Sequence, residues 1–103
     1  MSNESSPDDV AVVRDRRRDC GAYVVRIRVL RVPVSEQFPV GIKYAFHYGR
    51  KGADDPVLRY DNHHGVHERH EGAQVERIDF PGLEPLLDRF IEELPDEHAP
   101  DRS

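Results

Sequence analysis

The chain has 103 residues, 37% apolar and 34% charged, with a formal net charge of −5. That length bounds it to one small domain. No apolar run approaches the roughly 20 residues that span a bilayer. The opening Met1-Ser2-Asn3-Glu4-Ser5-Ser6-Pro7-Asp8-Asp9 lacks a basic-then-apolar leader, so a cytoplasmic protein is expected. Cys20 is the only cysteine, which excludes an internal disulfide and a cysteine-based zinc site. The negative balance argues against nucleic-acid binding by the whole surface, but the charge is uneven. Residues 14–31 hold seven arginines against two aspartates, whereas residues 84–97 set Glu84, Asp88, Glu92, Glu93, Asp96 and Glu97 against Arg89 alone.

In chain order, residues 1–9 are polar and acidic with nothing to bury and are expected to form a disordered tail. Val10 to Val13 reads as an edge strand. Ala22 to Val32 is a clearer one: Val25, Ile27 and Val29 alternate with Arg26 and Arg28, and Pro33 ends the run. In Val40 to Tyr48 the residues Ile42, Tyr44, Phe46 and Tyr48 share one face, and Lys43, Ala45 and His47 the other. A polar loop, residues 49–56, leads to a third strand, Val57 to Asp61, with Leu58 and Tyr60 inward and Arg59 and Asp61 outward. Val75 to Phe80 is the fourth, with Ile78 and Phe80 inward. Leu83, Leu86, Leu87, Phe90, Ile91 and Leu94 form one stripe of a helix that Pro95 stops. Residues 95–103 read as a second disordered tail, leaving 10–94 as the domain.

These elements predict an α+β fold: a small antiparallel sheet of about four strands with a C-terminal amphipathic helix packed on one face. The second face then carries Arg26, Arg28, Lys43, His47, Arg59 and Arg77, with Asp61 among them. An acidic protein thus presents a basic sheet face, or a plain solvated one.

The strand Val24-Val25-Arg26-Ile27-Arg28-Val29-Leu30-Arg31-Val32-Pro33, the strand Lys43-Tyr44-Ala45-Phe46-His47-Tyr48, and above all Arg59-Tyr60-Asp61-Asn62 followed by Gly65-x-His67-x-x-His70 carry a family likeness, closed by Ile78-x-Phe80 and Leu87-x-x-Phe90. Over roughly residues 12–94 the chain resembles the TumE-type toxins of bacterial and archaeal toxin–antitoxin systems. The resemblance implies a toxin whose partner is an antitoxin, commonly a helix-turn-helix protein. It favours Asp61, Asn62, His67 and His70 as site residues.

Four of the six histidines fall between His63 and His70, interleaved with arginines and carboxylates. Imidazole can move protons or bind metal near neutral pH. In one reading the cluster cleaves RNA: His67 and His70 serve as base and acid, Arg59 and Arg69 steady the phosphate, Asp61 orients them, and Asn62, Arg26, Arg28, Lys43 and His47 bind the backbone. No cofactor is needed for that chemistry. In a second, His64, His67 and His70 ligate a divalent metal with Asp61 nearby. In a third, Asp61-Asn62 is a turn starter, the histidines are solvated, and the basic face docks an acidic partner without catalysis. His98, in the polar tail, is expected to be idle.

Overall fold

A computed structural model of the chain describes residues 10–101. The tail expected over residues 1–9 lies outside the described residues. Six strands run in chain order as one open antiparallel meander: β1 (Ala11–Cys20), β2 (Tyr23–Arg31), β3 (Ile42–Arg50), β4 (Leu58–Asp61), β5 (Glu68–Glu71) and β6 (Gln74–Arg77). A single helix, α1 (Leu83–Glu92), follows.

The α+β class agrees with expectation; about four strands was too few. β5 was missed, and β1 was read only over Val10 to Val13 although it continues through the arginine-rich stretch to Cys20. Neither strand buries an apolar row, so neither shows the alternation that reveals a strand. The signals lay in the turns instead. Gly21-Ala22 joins β1 to β2 and Gly72-Ala73 joins β5 to β6, each a two-residue connection between paired strand ends. Each glycine has a positive φ, 66° and 59°. A type II′ hairpin turn requires that conformation at its first central position. β6, in contrast, ends earlier than expected: Ile78 leaves the ladder, its N–H donating to the His67 carbonyl at 3.0 Å.

Period-2 alternation sorts the side chains. Val25, Ile27 and Val29 of β2, Tyr44, Phe46 and Tyr48 of β3, and Leu58 and Tyr60 of β4 are all buried on one face. Leu86, Leu87, Phe90 and Ile91 of α1, with Leu94 just beyond it, cover them. Removing each such side chain from water contributes roughly 1.5–3 kcal/mol, which is why the helix sits here despite an N-terminus at Gly82 with no side-chain cap. Residues 95–101 turn back over the same face. Tyr48 Oη and His98 Nδ1 lie 2.7 Å apart, the His98 ring packs against Tyr23, and Arg16 donates to the Asp101 carbonyl at 3.3 Å. His98 is therefore a packing residue rather than an idle one. Among the described residues no helix is long and apolar enough to cross a membrane.

Candidate functional site

The face away from the helix is open. Strand pairing sets Arg17 opposite Arg26, Arg26 opposite His47, His47 opposite Arg59, and Arg59 opposite His70. One row therefore crosses five strands and carries only cations or imidazoles. The adjacent row runs Asp15, Arg28, Ala45, Asp61, Glu68, Arg77. The small Ala45 leaves depth between the rows, and a cleft of about 410 Å³ opens there, lined by Arg17, Arg26, Arg28, His47, Arg59 and His63 over a floor of Val24 and Ala45.

Arg59 is its centre. Asp61, only 4% exposed, accepts from Arg59 Nε at 2.8 Å and so fixes the guanidinium plane. The two remaining nitrogens point at imidazoles: Nη2 lies 2.9 Å from His63 Nε2 and Nη1 3.4 Å from His47 Nδ1. A guanidinium has no acceptor, so both imidazole nitrogens accept and both rings are neutral. The pKa directions agree. Burial lowers His47, and the Arg59 charge lowers it further. Burial also lowers His63, outweighing the opposing effect of Asp61.

Local structure holds these rings in place. The His63 N–H donates to Asp61 Oδ1 at 3.3 Å and its carbonyl accepts from Gln37 Nε2 at 3.0 Å. Gly65, with φ at 81°, lets the turn approach Gln37; a Cβ there would come within 2.9 Å of Gln37 Cγ and 3.1 Å of its carbonyl oxygen. Gly49 makes room for His47, whose Nε2 would lie 3.0 Å from a Cβ at that position.

The fold thus gathers Arg59, Asp61, His47, Arg26 and Arg28 of the residues singled out from sequence, with His70 beside Asp61 and Lys43 along the same face. It does not gather His67 or Arg69. His67 Nδ1 lies 2.9 Å from Tyr44 Oη, and its ring stacks on Phe80 with centroids 4.4 Å apart. That is the helix side of the sheet, where burial lowers its pKa. Arg69 faces the same way and is bound to Glu71, Glu76 and Glu93. Asn62 is buried, its amide bridging the Tyr44 N–H and the Ile42 carbonyl, both at 2.9 Å, so it holds the end of β3. His64 is exposed in the turn. His64, His67 and His70 consequently do not form one ligand set. The donors that cluster among the described residues are Asp61, Glu68 and His70, within 4.8 Å of one another. Arg17, His63 and Glu68 of this site escaped the sequence reading. His63 had a legible signal: residues 59, 61 and 63 share parity, and the strand's alternation carries one residue into the turn.

The family described as Toxin TumE matches residues 2–98. The chain belongs to the TumE toxin family. A toxin of this kind has a cognate antitoxin as its partner. No curated protein and no solved structure matches the chain.

Proposed function

We propose that this TumE toxin acts in the cytoplasm on RNA, cleaving the phosphodiester backbone at the Arg59 cleft, and that its antitoxin is a helix-turn-helix protein of the sort the family likeness implies. One observation carries the catalytic reading: the two outer nitrogens of Arg59 are held by neutral imidazoles and not by carboxylates. A phosphate is a charged acceptor and forks onto a guanidinium far better than an imidazole does. On entering the cleft it takes the two N–H groups and releases one lone pair on each side of itself, on His63 and on His47.

Two lone pairs freed in this way support an acid–base reading of RNA cleavage. One imidazole accepts the proton of the 2′-hydroxyl as O2′ bonds to phosphorus. The other, protonated in the presence of the phosphate charge, donates to O5′ as the P–O5′ bond breaks. The products are a 2′,3′-cyclic phosphate and a 5′-hydroxyl, and no proton is gained or lost overall. Arg59, held by Asp61, neutralises charge on the phosphoryl oxygens as it develops. Arg28 and Lys43 make no ion pair with a described residue, which suits them to carry the flanking backbone.

The test is cleavage of single-stranded RNA by purified protein, alongside growth inhibition. Arg59→Ala and His63→Ala should each slow cleavage about 10²- to 10⁴-fold, with circular dichroism unchanged. Wild-type protein that leaves RNA intact, or folded variants that cleave like wild type, would refute the reading.

A further inference from the structure

Three side chains on the open face converge on a point that phosphate binding at Arg59 does not use. Pairing of β4 with β5 sets His70 opposite Arg59 and Glu68 opposite Asp61. His70 Nε2 consequently lies 3.4 Å from Asp61 Oδ2 and 3.4 Å from Glu68 Oε1. The nitrogen is shut off from solvent and has no hydrogen-bond partner. A polar atom buried in that state is destabilising, so the arrangement calls for something to satisfy it.

Neither contact has hydrogen-bond length: a charge-assisted N–H···O bond closes to about 2.7–2.9 Å, whereas both separations here are 3.4 Å. A metal ion fits that spacing. Nitrogen and oxygen ligands about 2.1 Å from a tetrahedral centre stand about 3.4 Å apart, which is the separation seen on both sides of the imidazole. The charges also fit. Asp61 and Glu68 bring two negative charges, and Arg59 neutralises only part of this through Asp61 Oδ2. Arg77 faces Glu68 across the β5–β6 pairing but makes no ion pair with a described residue.

We propose that Asp61, Glu68 and His70 bind a divalent transition-metal ion, with Oδ2, Oε1 and Nε2 as protein ligands and the remaining positions filled by water. One imidazole with two carboxylates suits zinc or manganese better than magnesium, whose sites are all oxygen. The site does not depend on the RNA reading. It shares Asp61 with the Arg59 cleft, so an ion there sits beside bound phosphate.

The experiment is a titration of chelator-treated, full-length protein with ZnCl₂ alone by calorimetry and with MnCl₂ alone by electron paramagnetic resonance. Wild type should take up one equivalent of at least one ion. Glu68→Gln and His70→Ala, each checked for fold by circular dichroism, should each weaken uptake at least about tenfold, since losing even an outer-shell partner costs 10- to 100-fold. His64→Ala and His67→Ala should leave it unchanged. No stoichiometric uptake by wild type, or a loss below tenfold in either ligand variant, overturns the site. Binding is the readout, so either result leaves the RNA reading to be judged separately.

Discussion

Arg59 and Arg69 lie on opposite faces of one small sheet and are bound in opposite ways. Arg69, under the helix, is gripped by carboxylates from β5, from β6 and from Glu93 beyond α1. Its hydrogen bond to Glu93 chiefly raises its pKa. Burial alone would raise the Glu93 carboxyl, but hydrogen bonds from Arg69 and Tyr60 outweigh it and hold the pKa below its ordinary value. Tyr60, donating to the same carboxylate, is pushed up to about 12, mainly by burial. Arg69 is thus a fastener joining β5 to the end of the helix, saturated with charge. Arg59 has one carboxylate behind it and two neutral rings in front. An anion can displace rings; it cannot displace carboxylates. Residue type therefore does not separate a structural arginine from a functional one here. The nature of the acceptor does.

The comparison breaks most visibly in the core. Phe46 on β3 is fully buried beneath α1, whereas Arg28 on the open face of β2 is exposed. Phe46→Ala should cost about 3–5 kcal/mol in urea denaturation, a large part of the 5–15 kcal/mol that stabilises a domain of this size. Arg28→Ala should fall within about 0.5 kcal/mol of wild type. Similar costs for the two would mean that the faces are not distinguished as the register requires.

Next in size is the arginine pair itself. Arg69→Ala takes the Arg69 cation from Glu93, which keeps the Tyr60 hydroxyl, in a partly buried setting and should cost about 1–3 kcal/mol, with RNA cleavage retained below the melting transition. Arg59→Ala should lose activity at a comparable cost in stability, since it strips the buried Asp61 carboxylate of its guanidinium, so cleavage and not melting tells the two variants apart. If Arg69→Ala abolishes cleavage in protein that remains folded, Arg69 is more than a fastener.

The sequence made this sorting only partly legible. β2, β3, β4 and α1 bury apolar rows, so their period was readable, and with it the composition of the open face, Arg26, Arg28, Lys43, His47, Arg59 and Asp61. β1 and β5 bury no such row. Without β5, the segment 63–71 looked like one polar loop in which any histidine could meet any other. Placing Glu68–Glu71 in a strand sends Arg69 and His70 to opposite faces, and His67, just before it, turns towards Tyr44 and Phe80. The pairing of His63 and His47 through Arg59 is a tertiary contact across a cleft. Parity could suggest that these side chains share a face, but not that they meet.

A smaller effect is a pH dependence that both faces share. Burial lowers the His67 pKa from the ordinary 6.5. The unfolded chain then binds more protons than the folded one as pH drops below about 6.5, so stability falls through that window and recovers above it. His47 and His63 act with the same sign. Melting temperature should decline between pH 7.5 and 5.5, and His67→Phe, which keeps the stack on Phe80, should flatten part of that decline. A variant with an unchanged slope would show that His67 does not contribute.

The smallest effect concerns the flanking cations of the cleft. Arg28 and Lys43 touch no reacting atom in the proposed chemistry, so each should act only by displacing counterions from the RNA backbone. Binding of a single-stranded oligonucleotide, measured with Arg59→Ala protein so that cleavage does not intervene, should weaken linearly on a logarithmic salt scale. Each phosphate contact on a single strand adds about −0.7 to that slope. Arg28→Gln should therefore make the slope shallower by about that amount and weaken binding of all sequences alike, because a phosphate contact carries no base information. A slope unaffected by Arg28→Gln and Lys43→Gln would take the open face out of backbone binding and restrict any RNA contact to the residues around Arg59.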